Sequence, residues 1–295
     1  MTRMSAVILI ALLWVPAVAY AQEKERQITI GLIPEMNVFK QRQRFNMLGE
    51  YLSKKTGVKV VFTILSKYGN IIDNFTSEKL DGAFFGSFTG ALAIQKLNVV
   101  PLARPVNLDG TSMYRGYIFV RKESGIKTAK DMRGKKMAFV DKATTAGYIF
   151  PLAYLRQNGV TNIDNFFSEY YFSGSHDAAI DAVLTGQMDI GAAKHSVYDR
   201  VRKEDPRVDK ELVIIAVSPW VPSNGLCVRK DLDASLQKNL KEALISLQSD
   251  AAGEKILKEF GAIGFIETSA KDYKPVSDMA KEAGINLSTY NYRNK

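Results

Sequence analysis

One cysteine and two histidines in 295 residues remove several chemistries at once. Cys227 has no second cysteine to pair with, so no internal disulfide is available. In the apolar run Gly225-Leu-Cys-Val228 it reads as a small buried hydrophobe. His176 and His195 have no cysteine partners and no i, i+4 spacing, which leaves no pattern for a metal centre. No cofactor is expected. Long blocks of one charge sign are also missing: 40 Lys+Arg stand against 31 Asp+Glu, a formal +9, with the charges interleaved along amphipathic segments. That pattern is a solvated surface and argues against nucleic acid or an anionic membrane face as partner. Internal repeats and low-complexity stretches are absent as well.

The apolar run at residues 6–18 falls short of the roughly 20 residues a spanning helix needs, and Pro16 interrupts it. Arg3 ahead of it and Ala19-Tyr20-Ala21 before Gln22 complete the pattern of an export signal, residues 1–21. No cysteine stands at the cleavage point to take a lipid. The expectation is a free soluble protein in the periplasm, carrying a formal +8 once the leader and its one arginine are removed.

The remaining chain alternates strand and helix patterns. Residues 28–33 read as a buried strand, 39–55 as an amphipathic helix ending at Gly57, and 58–65 as a second strand. A helix over 68–77, a short strand over 81–85 and a helix over 87–97 follow. Residues 99–106 and 116–121 read as strands that leave this unit. The alternation then restarts: a strand at 135–140, a helix to Gln157, a strand at 168–172, a helix at 178–184 and a strand at 189–193. Residues 212–217 return the chain, and Ser218-Pro-Trp-Val-Pro-Ser223 has the two prolines of a stiff hinge. A strand at 225–229 and helices at 233–248, 254–259 and 273–282 complete it. Such repeated units imply an α/β fold of two lobes, each a mainly parallel sheet flanked by helices and joined by two hinge strands. Lobe 1 is expected at 27–115 and 219–295, and lobe 2 at 116–218.

Two strand-to-helix junctions carry the chemistry. At Thr144-Thr145-Ala146-Gly147, an apolar strand gives way to a helix-like run, so unpaired backbone N–H groups and two hydroxyls converge where the helix dipole is positive. The second, Ser173-Gly-Ser-His-Asp177, has the same form. Either alone is also what an ordinary N-cap looks like; two in one exported chain point to an anion site.

The residues Asp141-Lys-Ala-Thr-Thr-Ala-Gly-Tyr148, Ser173-Gly-Ser-His-Asp-Ala-Ala-Ile180 and Asp189-Ile-Gly-Ala-Ala193 resemble the core motifs of the phosphate/phosphite/phosphonate-binding proteins of ABC importers, the PhnD-like family. Tyr68-Gly69, Phe84-Phe-Gly86 and Tyr114-Arg-Gly116 resemble its first-lobe pattern. The resemblance implies a type II periplasmic binding protein that closes on a tetrahedral oxyanion, passes it to a membrane permease and does no chemistry. A monomer is expected. Carried over by position, Thr144 and Thr145 would give hydroxyl and backbone donors, Ala146 and Gly147 backbone N–H groups, and His176 a ring N–H. Tyr68 and Tyr114 would close over the ligand. Half-buried packing for the tyrosines, and a helix-start role for His176, remain alternatives on sequence alone.

Two positions depart from the family pattern. Ala146 replaces a third hydroxyl residue, and Lys194 stands where an acidic residue usually follows the Gly-Ala-Ala strand end. A lysine cannot accept a hydrogen bond and adds positive charge, which favours a fully ionised ligand over an aminophosphonate if it faces the cleft rather than solvent. A hydrolase built on Ser173, Ser175, His176 and Asp177 is disfavoured, because neighbours on a helix start diverge and no Gly-x-Ser-x-Gly elbow is present. A periplasmic sensing lobe partnered with a membrane histidine kinase would use the same clamp, and the sequence does not separate it from import.

Overall fold

A computed structural model describes residues 26–34, 38–66 and 70–294. The expected leader, residues 1–21, and Tyr68 with Gly69 lie outside the described residues. None of the described helices is long and apolar enough to cross a membrane.

Thirteen strands are described. They are β1 (Gln27–Leu32), β2 (Lys59–Ile64), β3 (Gly82–Phe85), β4 (Val100–Asn107), β5 (Met113–Tyr114), β6 (Gly116–Arg121) and β7 (Lys136–Phe139). The chain continues with β8 (Glu169–Phe172), β9 (Ile190–Lys194), β10 (Leu212–Val217), β11 (Val221–Pro222), β12 (Gly225–Val228) and β13 (Ala262–Glu267). One sheet runs β13-β4-β12-β3-β1-β2 and the other β10-β6-β9-β7-β8. Each is the base of a lobe. The small ribbon β11-β5 lies where the chain crosses between them.

Helices form where apolar residues recur at helical spacing. The helix Val38–Thr56 buries Gln41, Phe45, Leu48 and Leu52, a single stripe, and stops at Gly57, whose φ of 69° suits glycine. Its stripe meets Phe84, Phe260 and Phe62 through edge-on contacts of Phe45, forming the core on one face of the first sheet. A second, larger core covers the other face of that sheet and continues without a break into the second lobe, from Phe85 and Phe88 to Phe119, Phe139 and Phe150.

Both sheets are mixed rather than mainly parallel, which corrects the expectation. The trios β2-β1-β3 and β8-β7-β9 are parallel, but β12 beside β3 and β6 beside β9 run the other way. The reason is the crossing. β12 begins at Gly225, opposite Phe85 at the end of β3, and β6 begins at Gly116, opposite Lys194 at the end of β9. A strand arriving from the hinge enters at the carboxyl ends of the trio and must run backwards along it. The carboxyl ends of both trios therefore face the inter-lobe cleft, and so do the N-termini of the helices that follow, the usual ligand position in open α/β sheets.

The crossing segments are tied to each other. Gly116 N–H donates to Ser218 Oγ at 2.8 Å, Ser218 N–H to Gly116 O at 2.9 Å, and Ser223 N–H to Ser112 O at 3.0 Å. Elements absent from the sequence reading include β13, the short strands β5 and β11, and the helices His195–Glu204 and Arg207–Glu211.

Candidate functional site: a hydroxyl cluster between the lobes

After β7 the chain makes a tight turn before its helix. Asp141 organises it: its Oδ1 accepts Ala143 N–H at 2.8 Å, and its carbonyl accepts both Thr144 N–H at 3.0 Å and Thr144 Oγ1–H at 2.6 Å. The first turn is then wide, over Thr145–Ile149, with Ile149 N–H donating to Thr144 O at 3.1 Å and Phe150 N–H to Thr145 O. The regular helix expected here thus opens on a π turn before Phe150–Gln157. At such a start the N–H groups of Thr145, Ala146 and Gly147 have no acceptor in a preceding turn.

Gly147 makes this possible by close approach. A Cβ there would fall 2.4 Å from Val140 Cβ and 2.8 Å from Thr144 Oγ1. Val140 N–H closes the same contact by donating to Gly147 O at 3.1 Å. Ala146 turns its methyl to the hinge: a Cβ on Gly116 would lie 3.1 Å from it.

Thr145 faces the other lobe. Its Oγ1 is 2.6 Å from Ser87 Oγ, and Ser87 is also hydrogen-bonded to the Tyr114 hydroxyl. Three hydroxyls from three segments thus meet in one buried chain, with Ser87 0%, Thr145 2% and Tyr114 5% exposed. Thr144 is equally buried, but its hydroxyl proton is committed to its own turn. Ser87 was missed in the sequence. The signal was there: Phe85-Gly86-Ser87 is a third strand-to-helix junction with a hydroxyl, at the start of the helix Ser87–Leu97.

His176 opens the helix His176–Leu184 behind Ser175, whose hydroxyl caps it by accepting Ala178 N–H at 3.3 Å. The His176 Nδ1 accepts Lys194 N–H at 3.2 Å, so in the neutral ring the proton sits on Nε2. Lys194 is half-buried and lines the cleft: its Nζ lies 4.6 Å from the centroid of the Tyr114 ring, a cation–π contact. Tyr114 therefore joins Ser87 at its hydroxyl and Lys194 at its face. Tyr68 lies outside the described residues.

Beside this cluster, and meeting it at Lys194, the cleft widens to about 880 Å³, lined by the cations Lys40, Arg44, Lys194, Arg200 and Lys203, by the acids Asp109, Asp199 and Glu259, and by Asn224 of the hinge. At its rim His195 Nδ1 accepts Arg115 N–H at 3.2 Å, and its ring packs edge-on to Trp220 at 5.5 Å. Burial pushes the His195 pKa down, with Lys194 and Arg115 acting in the same direction and Asp199 and Asp109 against it. Among the described residues, no three His, Cys, Asp or Glu side chains gather as a metal cage.

Comparison with known proteins agrees with this architecture. The chain is 28% identical over 267 residues to a probable ABC-transporter phosphite-binding protein of Prochlorococcus marinus, covering 86% of this chain and 89% of that one. With the phosphonates-binding periplasmic protein of Escherichia coli it shares 23% over 266 residues, 89% of this chain and 78% of that one. The solved structure of the Prochlorococcus marinus protein PhnD1 in complex with methylphosphonate matches with a TM-score of 0.76 at 25% identity, over 88% of this chain and 99% of that one. A family model for the periplasmic phosphonate substrate-binding protein of ABC transporters matches residues 30–273, and this chain belongs to that family.

Proposed function

We propose that the protein captures a phosphate, phosphite or phosphonate oxyanion between its lobes and hands it to a membrane ABC permease, with no bond made or broken. The observation that carries this reading is the Ser87–Thr145 contact, because it brings donors of both lobes to one buried point. An oxyanion seated there accepts from the Ser87, Thr145 and Tyr114 hydroxyls and from the N–H groups that open the wide turn. Such charge-assisted bonds are roughly twice as strong as neutral ones. Thr144 acts one step back, by closing the turn on Asp141. His176 supplies its Nε2–H.

Closure needs a ligand that touches both lobes at once, since only contacts made in the closed form favour it. Lobe 1 comprises 27–115 and 219–295, lobe 2 comprises 116–218, and the rotation is absorbed at the paired crossing segments around Gly116 and Ser218. The leader 1–21 directs export without lipidation, and the mature protein works as a monomer.

The finer specificity follows from Lys194. Its ammonium, held over Tyr114 at the end of β9 beside the oxyanion donors, favours a fully ionised guest: phosphate dianion, or a phosphonate with a second acid, over an aminophosphonate. A thermal-shift panel of phosphate, phosphite, methylphosphonate, aminoethylphosphonate, sulfate and a carboxylated phosphonate tests the reading. Stabilisation by the phosphorus oxyanions supports it; a melting temperature unmoved by all of them overturns it.

A further inference from the structure

The helix Lys274–Glu282 packs against a helix of each lobe, Ser87–Leu97 and Phe150–Gln157. Residues 283–294 then run along the boundary and bond to both sides. Toward the first lobe, Ser288 O accepts Lys96 Nζ at 2.8 Å and the Tyr292 hydroxyl donates to Asp73 Oδ1 at 2.7 Å. The Arg293 guanidinium reaches the other oxygen of Asp73 at 3.2 Å. Toward the second lobe, the Tyr290 hydroxyl donates to Lys142 O at 3.0 Å. Asn294 makes a reciprocal pair, Nδ2 to Asp141 Oδ2 at 2.9 Å and Oδ1 from Lys142 N–H at 3.1 Å.

The second-lobe partners are the turn that precedes Thr145. Asp141 uses one carboxylate oxygen and its carbonyl to shape that turn, and its other oxygen is held by Asn294. The Tyr290 ring also stacks edge-on at 5.5 Å against Phe88, the neighbour of Ser87. One segment therefore touches the turn behind Thr145 and the residue behind Ser87, the two sides of the hydroxyl contact. The Arg293–Asp73 pair is solvent-exposed and contributes little, so the buried Tyr292 ring and its hydroxyl anchor the first-lobe end.

We propose that Tyr290 and Asn294 are positioning residues of the oxyanion site: they hold the 141–144 turn where Thr145 meets Ser87, and couple it to the first lobe. This rests on the site reading given above. Without them the Asp141 carboxylate and the Lys142 amide lose fixed partners, and the turn samples positions in which the donors no longer converge.

The test uses the full chain with Asn294→Ala, Tyr290→Phe and Thr145→Ala, titrated calorimetrically with phosphate, phosphite and methylphosphonate. Hydrogen exchange is read at the amides of residues 143–147. Asn294→Ala is expected to weaken binding about tenfold and Tyr290→Phe severalfold, both with faster exchange at 143–147 and cooperative melting retained. Tyr290→Phe removes one oxygen only and keeps the proposal testable if Asn294→Ala does not fold. Affinity lost in Thr145→Ala but unchanged in both other variants overturns the positioning role alone. Affinity unchanged in Thr145→Ala overturns the site reading and the proposal with it. Weakened binding with unaltered exchange at 143–147 also overturns the positioning role.

Discussion

Ser87 Oγ and Thr145 Oγ1 lie 2.6 Å apart although 58 residues separate them in the chain and each begins a helix of a different lobe. Neither hydroxyl caps its own helix. Each is directed across the cleft, and Tyr114 joins them from the hinge. On the proposed reading, a ligand seated at this contact draws its affinity from both lobes at once.

Gly147→Ala tests the wide turn. A methyl 2.4 Å from Val140 Cβ must displace β7 or the turn, and overpacking of that kind costs about 1–3 kcal/mol. Urea unfolding should show a lowered midpoint with an unchanged m-value, together with weakened ligand binding. A midpoint equal to that of the parent would mean that the turn does not need glycine.

The depressed pKa of His195 sets a pH window. Buried and beside Lys194 and Arg115, the ring stays neutral in the folded state at a pH where the unfolded chain, titrating near 6.5, has begun to take a proton. The unfolded state then binds more protons, so stability is full above about pH 6.5 and falls as pH drops through the folded pKa. The carboxylates with lowered pKa values, such as Asp177 and Asp272, lose their contribution only at lower pH. Melting temperature against pH should therefore decline first as pH falls below about 6.5. His195→Gln should flatten that limb alone; an identical limb in the variant would assign it to other groups.

How much of this was legible in the chain differs by element. The junctions at Thr144 and Ser175 could be read because hydroxyls and glycine directly follow an apolar strand, a local pattern. The wide turn could not, since it depends on how near Gly147 passes to Val140. β13 gave little signal because Gly264 interrupts it and Ile263 and Ile266 face outward, hiding the alternation. The helix His195–Glu204 buries only His195 and Tyr198, too thin a stripe to detect. The direction of β6 and β12 follows from the hinge crossings, a topological fact that strand composition does not encode. Ser87 satisfied the same rule as the other junctions, but its role depends on a partner in the other lobe.

Lys194→Asp is expected to reverse ligand ranking more than to abolish binding. Removing the ammonium above Tyr114 and placing a carboxylate at the end of β9 should weaken phosphate and a carboxylated phosphonate, and raise the relative affinity for aminoethylphosphonate. Calorimetry on the three ligands reads this directly. A ranking identical in parent and variant would show that the ammonium does not face the bound ligand.

The most direct measurement is calorimetric titration of phosphate, phosphite and methylphosphonate into the parent protein and into Ser87→Ala, Thr145→Ala and the double variant. The account predicts that each single variant binds about tenfold more weakly, that the double variant loses less than the sum of the two, and that all melt cooperatively. Full affinity in the folded double variant would contradict it.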